Sequence, residues 1–282
     1  LDNPYEMYQA SEVMMNENAL IDASAVLDGD GGTVVLWSDI LNTNSVTSVL
    51  GEIYAEGGKS GGNGGKVETS GYFLDINHAR VSTLGPYGKT GDWLLDPGHI
   101  RITTTGTDEN DGLPGSIDGT TDINPTTISN ALNSNNVSLA TGSGNYDLTV
   151  TNGLTNSSGN SLTLTAGRNI VVNDSIDIGT GLLKLDAGNN LTVSGNVVAG
   201  ELDLDAVNGA ITVNNSLDTA IANGATSTDC VLSRSRGVSI TRRLGKDENI
   251  QRYEDFDTGL RVFVDNKISS VSTNENSEEA LK

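Results

Sequence analysis

Residues 162–193 read LTLTAGRNIVVNDSIDIGTGLLKLDAGNNLTV and state one motif twice. Leu162, Leu164, Ala166, Gly167, Asn169, Ile170 and Val172 spell L-x-L-x-A-G-x-N-I-x-V. Leu183, Leu185, Ala187, Gly188, Asn190, Leu191 and Val193 repeat it 21 residues on, and Leu202, Leu204, Ala206, Ile211 and Val213 repeat it again after 19 more, with one residue inserted. Within each copy apolar residues alternate, the period of a strand with one buried face. The A-G-x-N step predicts a turn: the glycine tolerates positive φ, and the asparagine can satisfy its own turn. A unit of about 20 residues made of two strands, a turn and a loop cannot bury its apolar face alone and has to stack. The expected fold is all-β, a right-handed parallel β-helix (solenoid). Strands every 8 to 12 residues also fit a β-sandwich, but a sandwich does not need a repeated motif.

Outward from this core, Val137, Leu139, Leu148 and Val150 form a degenerate copy, and Ile100 and Ile102 with Thr103–Thr105 another strand. Between them Asp108–Pro125 holds two of the five prolines and predicts a loop or break. Further upstream, Gly57, Gly58, Gly61, Gly62, Gly64 and Gly65 permit tight corners, and Val67 with Thr69, then Leu74 with Ile76, alternate as short strands do. The expected segments are 1–107, β-helix with a glycine-rich motif; 108–136, loop or break; 137–216, β-helix repeats; and 217–282, a short truncated α+β segment. About 200 residues in coils of about 20 give roughly ten rungs of about 4.8 Å.

The formal charge is −21, with 34 glycines and only 4% aromatic residues. So acidic a chain is a poor ligand for nucleic acid or an anionic membrane, because phosphate binding needs Lys and Arg to displace counterions. The charge is uneven: residues 1–215 hold 7 Lys and Arg against 26 Asp and Glu, residues 216–282 hold 9 against 11. Two segments of different origin give such asymmetry. Cys230 is the single cysteine, which excludes an intrachain disulfide and predicts a buried, inert thiol. No apolar run reaches the ~18 residues of a membrane span, so no direct membrane insertion is expected. Leu1 begins no signal-peptide profile, and the chain reads as internal to a longer protein.

Three stretches carry a family resemblance. ALIDASAVLDGDGGTVVLWSD at Ala19–Asp39, EIYAEGGKSGGNGGKVETSG at Glu52–Gly71 and LDINHARVSTLGPYGKTGDWLLDP at Leu74–Pro97 resemble the filamentous haemagglutinin family of two-partner-secretion exoproteins, most specifically at Gly91, Trp93, Leu94, Leu95, Asp96 and Pro97. The resemblance implies a β-helical adhesin exposed outside a Gram-negative cell or released from it, binding a cell-surface receptor or glycan. It also implies an outer-membrane transporter that reads a secretion domain not recognisable here. The chain would be shaft. From its size and apolar character Trp93 is expected to plug the stack where the regular coils change register, as a core residue rather than a ligand platform.

From about Leu217 the character changes. Val238–Arg242 and Leu260–Val264 alternate as antiparallel strands, while Thr219–Asn223 and Asn276–Lys282 predict helix. Arg236–Ser239, Arg243–Lys246, Gly259–Val264 and Ser269–Asn274 resemble the start of the TldD/PmbA metallopeptidase-related family. That family's HExxxH-type zinc motif lies further along; His78 and His99, the two histidines, are not followed by Glu. A cytoplasmic location would follow if this tail is the functional part, and its union with an export-type shaft points to a fusion.

The remaining chemical signals are weak. Gly88, Lys89 and Thr90 suggest a P-loop, but its first glycine falls on Thr83. Asp28 and Asp30 open like a calcium loop without the closing Glu, and a solvated turn is expected. A polysaccharide-acting β-helix enzyme would need two aligned acids, yet Asp177, Asp186 and Asp205 fall at outward positions. Arg234, Arg236, Arg242 and Arg243 are balanced by Asp247, Glu248, Glu254 and Asp255. No catalytic, cofactor-binding or metal-ligating residue is assigned, no cofactor is expected, and the expected protein is not an enzyme.

Overall fold

The computed structural model describes residues 9–105, 120–213, 227–243, 246–264 and 267–273. The chain divides into two compact units: residues 1–191 with 195–210, and residues 192–194 with 211–282. Both are built of strands, and the first is dominated by parallel pairing.

The longest sheet of the first unit takes every third strand: β3 (Thr33–Trp37), β6 (Lys66–Ser70), β9 (Asp92–Asp96), β12 (Asn136–Ala140), β15 (Leu162–Ala166), β18 (Leu182–Ala187) and β21 (Glu201–Ala206), in that order. All six pairings are parallel. Register follows the motif: Leu139 pairs with Leu164, Leu164 with Leu185, and Leu185 with Leu204. In β15 the apolar Leu162, Leu164 and Ala166 are buried, and Thr163 and Thr165 between them are half-buried. Stacked rows of Leu and Val are thus removed from water on the inner face, at about 25 cal/mol per Å² of apolar surface.

The other strands repeat the pattern. β10 (His99–Ile102), β13 (Leu148–Val150), β16 (Ile170–Val172) and β19 (Leu191–Val193) follow one another in a second sheet, with β11 (Thr120–Ile123) on the far side of β10. β14 (Leu154–Thr155), β17 (Ile176–Asp177) and β20 (Val197–Val198) form a third. Nearer the N-terminus, β1 (Glu12–Met15), β4 (Val46–Val49) and β7 (Phe73–Asp75) form one sheet, and β2 (Leu20–Asp22), β5 (Glu52–Tyr54) and β8 (Arg80–Ser82) another. Each repeat therefore contributes three strands, not the expected two. The third has two residues, too short for alternation to register; the buried Ile176 and Ile178 were its signal. Paired residues lie 33 apart at Asp30 and Asn63 but 19 apart at Lys184 and Asp203. Wide spacings, 33 residues from Thr33 to Lys66 and 44 from Asp92 to Asn136, the second holding α1, leave the longest sheet with seven strands instead of the expected ten rungs.

The A-G-x-N step works differently from the expectation. Neither Gly167 nor Gly188 has positive φ; instead a Cβ on Gly188 would lie 2.2 Å from the Gly167 carbonyl oxygen, and one on Gly167 2.4 Å from that of Gly142. Glycine is required by the close approach of stacked backbones. The asparagine serves the next repeat, not its own turn: Asn169 Oδ1 accepts from the Asn190 N–H at 3.2 Å, and Asn190 Oδ1 from the Ala210 N–H at 3.1 Å. Gly188→Ala is expected to destabilise the first unit by about 1–3 kcal/mol, the usual range for overpacking, read as a lower urea midpoint.

Residues 120–136, expected as loop, hold β11, the helix α1 (Pro125–Ala131) and the start of β12. Asn124 caps α1 by accepting from the Thr126 N–H at 2.9 Å, and Pro125 follows at the first helical position. The helix buries Ile128 and Ala131 and packs against β8, β12 and β14, occupying the place of a third-sheet strand. Asn135 fastens it, donating to Val81 O at 2.9 Å and Ala131 O at 2.8 Å. The longest sheet passes this level unbroken, with Val137 paired to Trp93. Seven helical residues gave no amphipathic period to read, and Pro125 marks a cap, not a break. The first part of the expected break, residues 108–119, lies outside the described residues.

In the second unit β22 (Ile211–Val213), β23 (Ser227–Arg243), β24 (Lys246–Val264) and β25 (Lys267–Thr273) pair antiparallel in sequence order. Val238–Arg242 and Leu260–Val264 are strand, as alternation predicts. The expected helices at 219–223 and 276–282 lie outside the described residues.

Candidate functional site

Two clusters on the first unit bring chemistry-bearing side chains together. The first lies on the outward rows of the longest sheet, where Trp37 is paired with Ser70 and Ser70 with Asp96, with Glu68 in the adjoining row. Ser70 Oγ and Glu68 Oε1 are 3.0 Å apart, the hydroxyl donating. Asp96 Oδ1 and Trp37 Nε1 are buried and have no hydrogen-bond partner among the described residues. Burial first, and the Glu68 carboxylate second, push the Asp96 carboxyl up to about 6. A carboxylic acid that exchanges its proton near neutrality beside a carboxylate is the raw material of general acid–base chemistry. Among the described residues no group of three His, Cys, Asp or Glu side chains converges to hold a metal.

The sign of the Asp96 effect is fixed by the upward shift. Below the ordinary carboxylate value of 3.8 both folded and unfolded chains are protonated there; as pH rises toward about 6 the unfolded chain ionises first. Stability is therefore lost as pH rises through that window, by about 3 kcal/mol for a shift of this size. Asp96→Asn is expected to remove that component. Urea unfolding of both proteins near pH 4 and near pH 7 checks it, equal pH dependence being the contrary result.

The second cluster is aromatic. His99 and Tyr146 meet edge to face at 5.0 Å, Tyr146 and Tyr72 at 6.4 Å, and Tyr72 and Phe73 at 5.0 Å. The Asp147 N–H donates to His99 Nδ1 at 3.2 Å. Asp147 also accepts from Arg168 Nε at 2.7 Å and from the second guanidinium nitrogen, and from the Asn169 N–H at 3.1 Å. These donors, Arg168 foremost, hold the Asp147 carboxyl below its ordinary value. Half-buried rings with polar tips, beside a bidentate ion pair, can present both an apolar surface and hydrogen-bonding groups. Sequence reasoning missed both clusters, since Glu68 and Asp96 are 28 residues apart and Tyr72 and Tyr146 are 74 apart.

The residues weighed from sequence are dispersed. Trp93 is buried in register between Val67 and Val137, its Nε1 donating to Thr69 Oγ1 at 3.1 Å, so it is a core residue and marks no change of register. Asp30 Oδ1 accepts from the Asn63 N–H at 2.7 Å, tying two turns together. Asp186 and Asp205 are paired across strands on the outward rows, and Asp177 accepts from the Gly179 N–H at 2.9 Å. His78 has φ 70° and lies apart from His99 in sequence and strand. In the second unit the backbone register sets Arg236 opposite Glu254 and Arg242 opposite Asp247. Cys230 lies on β23; its side chain is outside the described set.

Fold and clusters together define an all-β protein whose first unit is a stack of in-register parallel strands. Residues 228–282, within the second unit, match the family PmbA/TldA metallopeptidase domain 1. No curated protein matches the chain.

Proposed function

We propose that the first unit is a right-handed parallel β-helix and acts as a shaft segment of an exported, filamentous-haemagglutinin-like adhesin, working by reach and display and not by catalysis. The observation that carries this reading is the unbroken parallel ladder from β3 to β21, in which Leu139, Leu164, Leu185 and Leu204 repeat in register. Such a ladder adds about 4.8 Å per level without limit, which suits a spacer. Its support from sequence is the adhesin-like stretch Ala19–Pro97, which spans β2 to β9. The shaft would carry a receptor- or glycan-binding region outside the cell. Mass spectrometry of secreted, outer-membrane and cytosolic fractions, searching for a peptide across Ala210–Arg234, tests it: recovery outside the cell supports the adhesin, and recovery in the cytosol alone overturns it.

The family match over residues 228–282 favours a second reading, in which the second unit is the beginning of a metallopeptidase-related protein joined to the shaft. The HExxxH-type motif of that family does not occur in this chain. On this reading the purified chain neither retains zinc through dialysis nor cleaves peptides; stoichiometric zinc with hydrolysis would reverse the assignment.

A further inference from the structure

Asp96–Pro97 is the single Asp–Pro bond of the chain. It lies at the end of β9, where the chain leaves the longest sheet for β10. Such a bond carries its own reagents. The aspartate carboxyl can close on its own main-chain carbonyl carbon, and the proline nitrogen, a tertiary amide without N–H, departs as a secondary amine. Elsewhere in the first unit a carboxyl so placed is occupied: Asp22, Asp39, Asp75 and Asp177 each accept from the N–H two residues on, at 2.9 to 3.0 Å. At Asp96 that donor is withdrawn. The Gly98 N–H donates to the Tyr72 carbonyl at 3.2 Å, and Asp96 Oδ1 is buried with no partner among the described residues.

The main-chain carbonyl beside it is engaged instead. Asp96 O accepts from the Gly71 N–H at 3.2 Å, a donor aimed at the oxygen on which charge develops during attack. The strands on either side leave the carboxyl one charged neighbour among the described residues. Trp37 on β3 and Ser70 on β6 stand in its row, Asn136, Ser138 and Ala140 face outward on β12, and Glu68 on β6 supplies negative charge. Burial and Glu68 keep the carboxyl in its acid form up to about 6, so it holds the proton that the leaving nitrogen needs.

We propose that the chain cuts itself at Asp96–Pro97, with the Asp96 carboxyl serving as both nucleophile and acid in a single-turnover reaction. One carboxyl oxygen bonds to the Asp96 carbonyl carbon, the bond from that carbon to the Pro97 nitrogen breaks, and the carboxyl proton passes to that nitrogen. The cyclic anhydride left behind takes up one water from solvent, which restores the side-chain carboxyl and leaves a new α-carboxyl on Asp96. Nothing is oxidised or reduced. The products are residues 1–96 and 97–282, and the reaction does not depend on the adhesin reading. Because β9 stays paired with β12, Val137 on Trp93, the two pieces share one stack, and the cut is read under denaturing conditions.

The test holds the purified full chain at about pH 5 and about pH 8, near neutrality on either side of the carboxyl's titration, and follows it by denaturing electrophoresis, intact mass and N-terminal sequencing. Two fragments are expected, their masses summing to that of the chain plus one water, the larger beginning at Pro97. Cutting should be roughly a hundredfold faster at pH 5 than at pH 8, as the acid form declines in that proportion. Asp96→Asn, which keeps the shape, and Pro97→Ala, which keeps the carboxyl, should each stay intact over the same time. Glu68→Gln should move the fall in rate to lower pH, a shift that a merely structural glutamate would not cause. Wild type unfolded in urea should cut more slowly at pH 5, because an ordinary carboxylate is mostly ionised there and the Gly71 donor is gone. Folded wild type that stays intact at pH 5, Asp96→Asn that is cut at the wild-type rate, or equal cutting in urea overturns the proposal. Circular dichroism establishes that each variant is folded, and the comparison of folded with unfolded wild type decides the matter even where a variant is not.

Discussion

Leu185→Asp is expected to unfold the first unit at 25 °C, whereas Asp186→Ala, one residue away, should shift stability by less than about 0.5 kcal/mol. Leu185 is fully buried between Leu164 and Leu204. Truncating such a leucine to alanine costs about 2–5 kcal/mol, and a carboxylate in its place adds the cost of an unpaired buried charge. Against a total stability of about 5–15 kcal/mol for a typical domain, that loss is decisive. Asp186 faces outward, with Lys184 at 4.0 Å and Asp205 directly across the strands. Its removal relieves a like-charge pair and weakens a long ion pair, effects that nearly cancel. Thermal melts followed by circular dichroism decide it, and equal melts for the two variants would contradict the inward and outward assignment.

Trp93→Ala should destabilise the first unit by about 3–5 kcal/mol, with Trp93→Phe in between. The indole is 2% exposed, and its N–H is the partner of Thr69 Oγ1. Alanine leaves a cavity where the sheet continues past α1; phenylalanine fills most of it and loses the hydrogen bond. Denaturant unfolding of the three proteins checks the order. A Trp93→Ala protein as stable as wild type would mean that the level at β9 and β12 is not part of the continuous core.

Some of this was legible residue by residue. The alternation of Leu162, Leu164 and Ala166, and its recurrence at Leu183, Leu185 and Ala187, predicted strands, their inward faces and their stacking in register. Alternation also located the strand character of Val238–Arg242 and Leu260–Val264. The Asn124–Pro125 cap was misread as part of a break because α1 is too short to show a period. The clusters at Glu68 with Asp96 and at Tyr72 with His99 and Tyr146 were not legible, because each joins levels of the stack separated by long corners.

By itself the sequence determined what neighbours two residues apart can encode: which residues of a strand face inward, where the repeat begins again, and where the acidic repeats yield to a segment of balanced charge. Only the tertiary structure decided what passes between levels. Gly188 is glycine because the Gly167 carbonyl lies beneath it, Asn169 serves Asn190 and not its own turn, and Asp96 keeps its proton to about 6 because neighbouring strands bury it beside Glu68. Such contacts depend on the spacing of corners that vary in length, and a local pattern carries no record of that spacing.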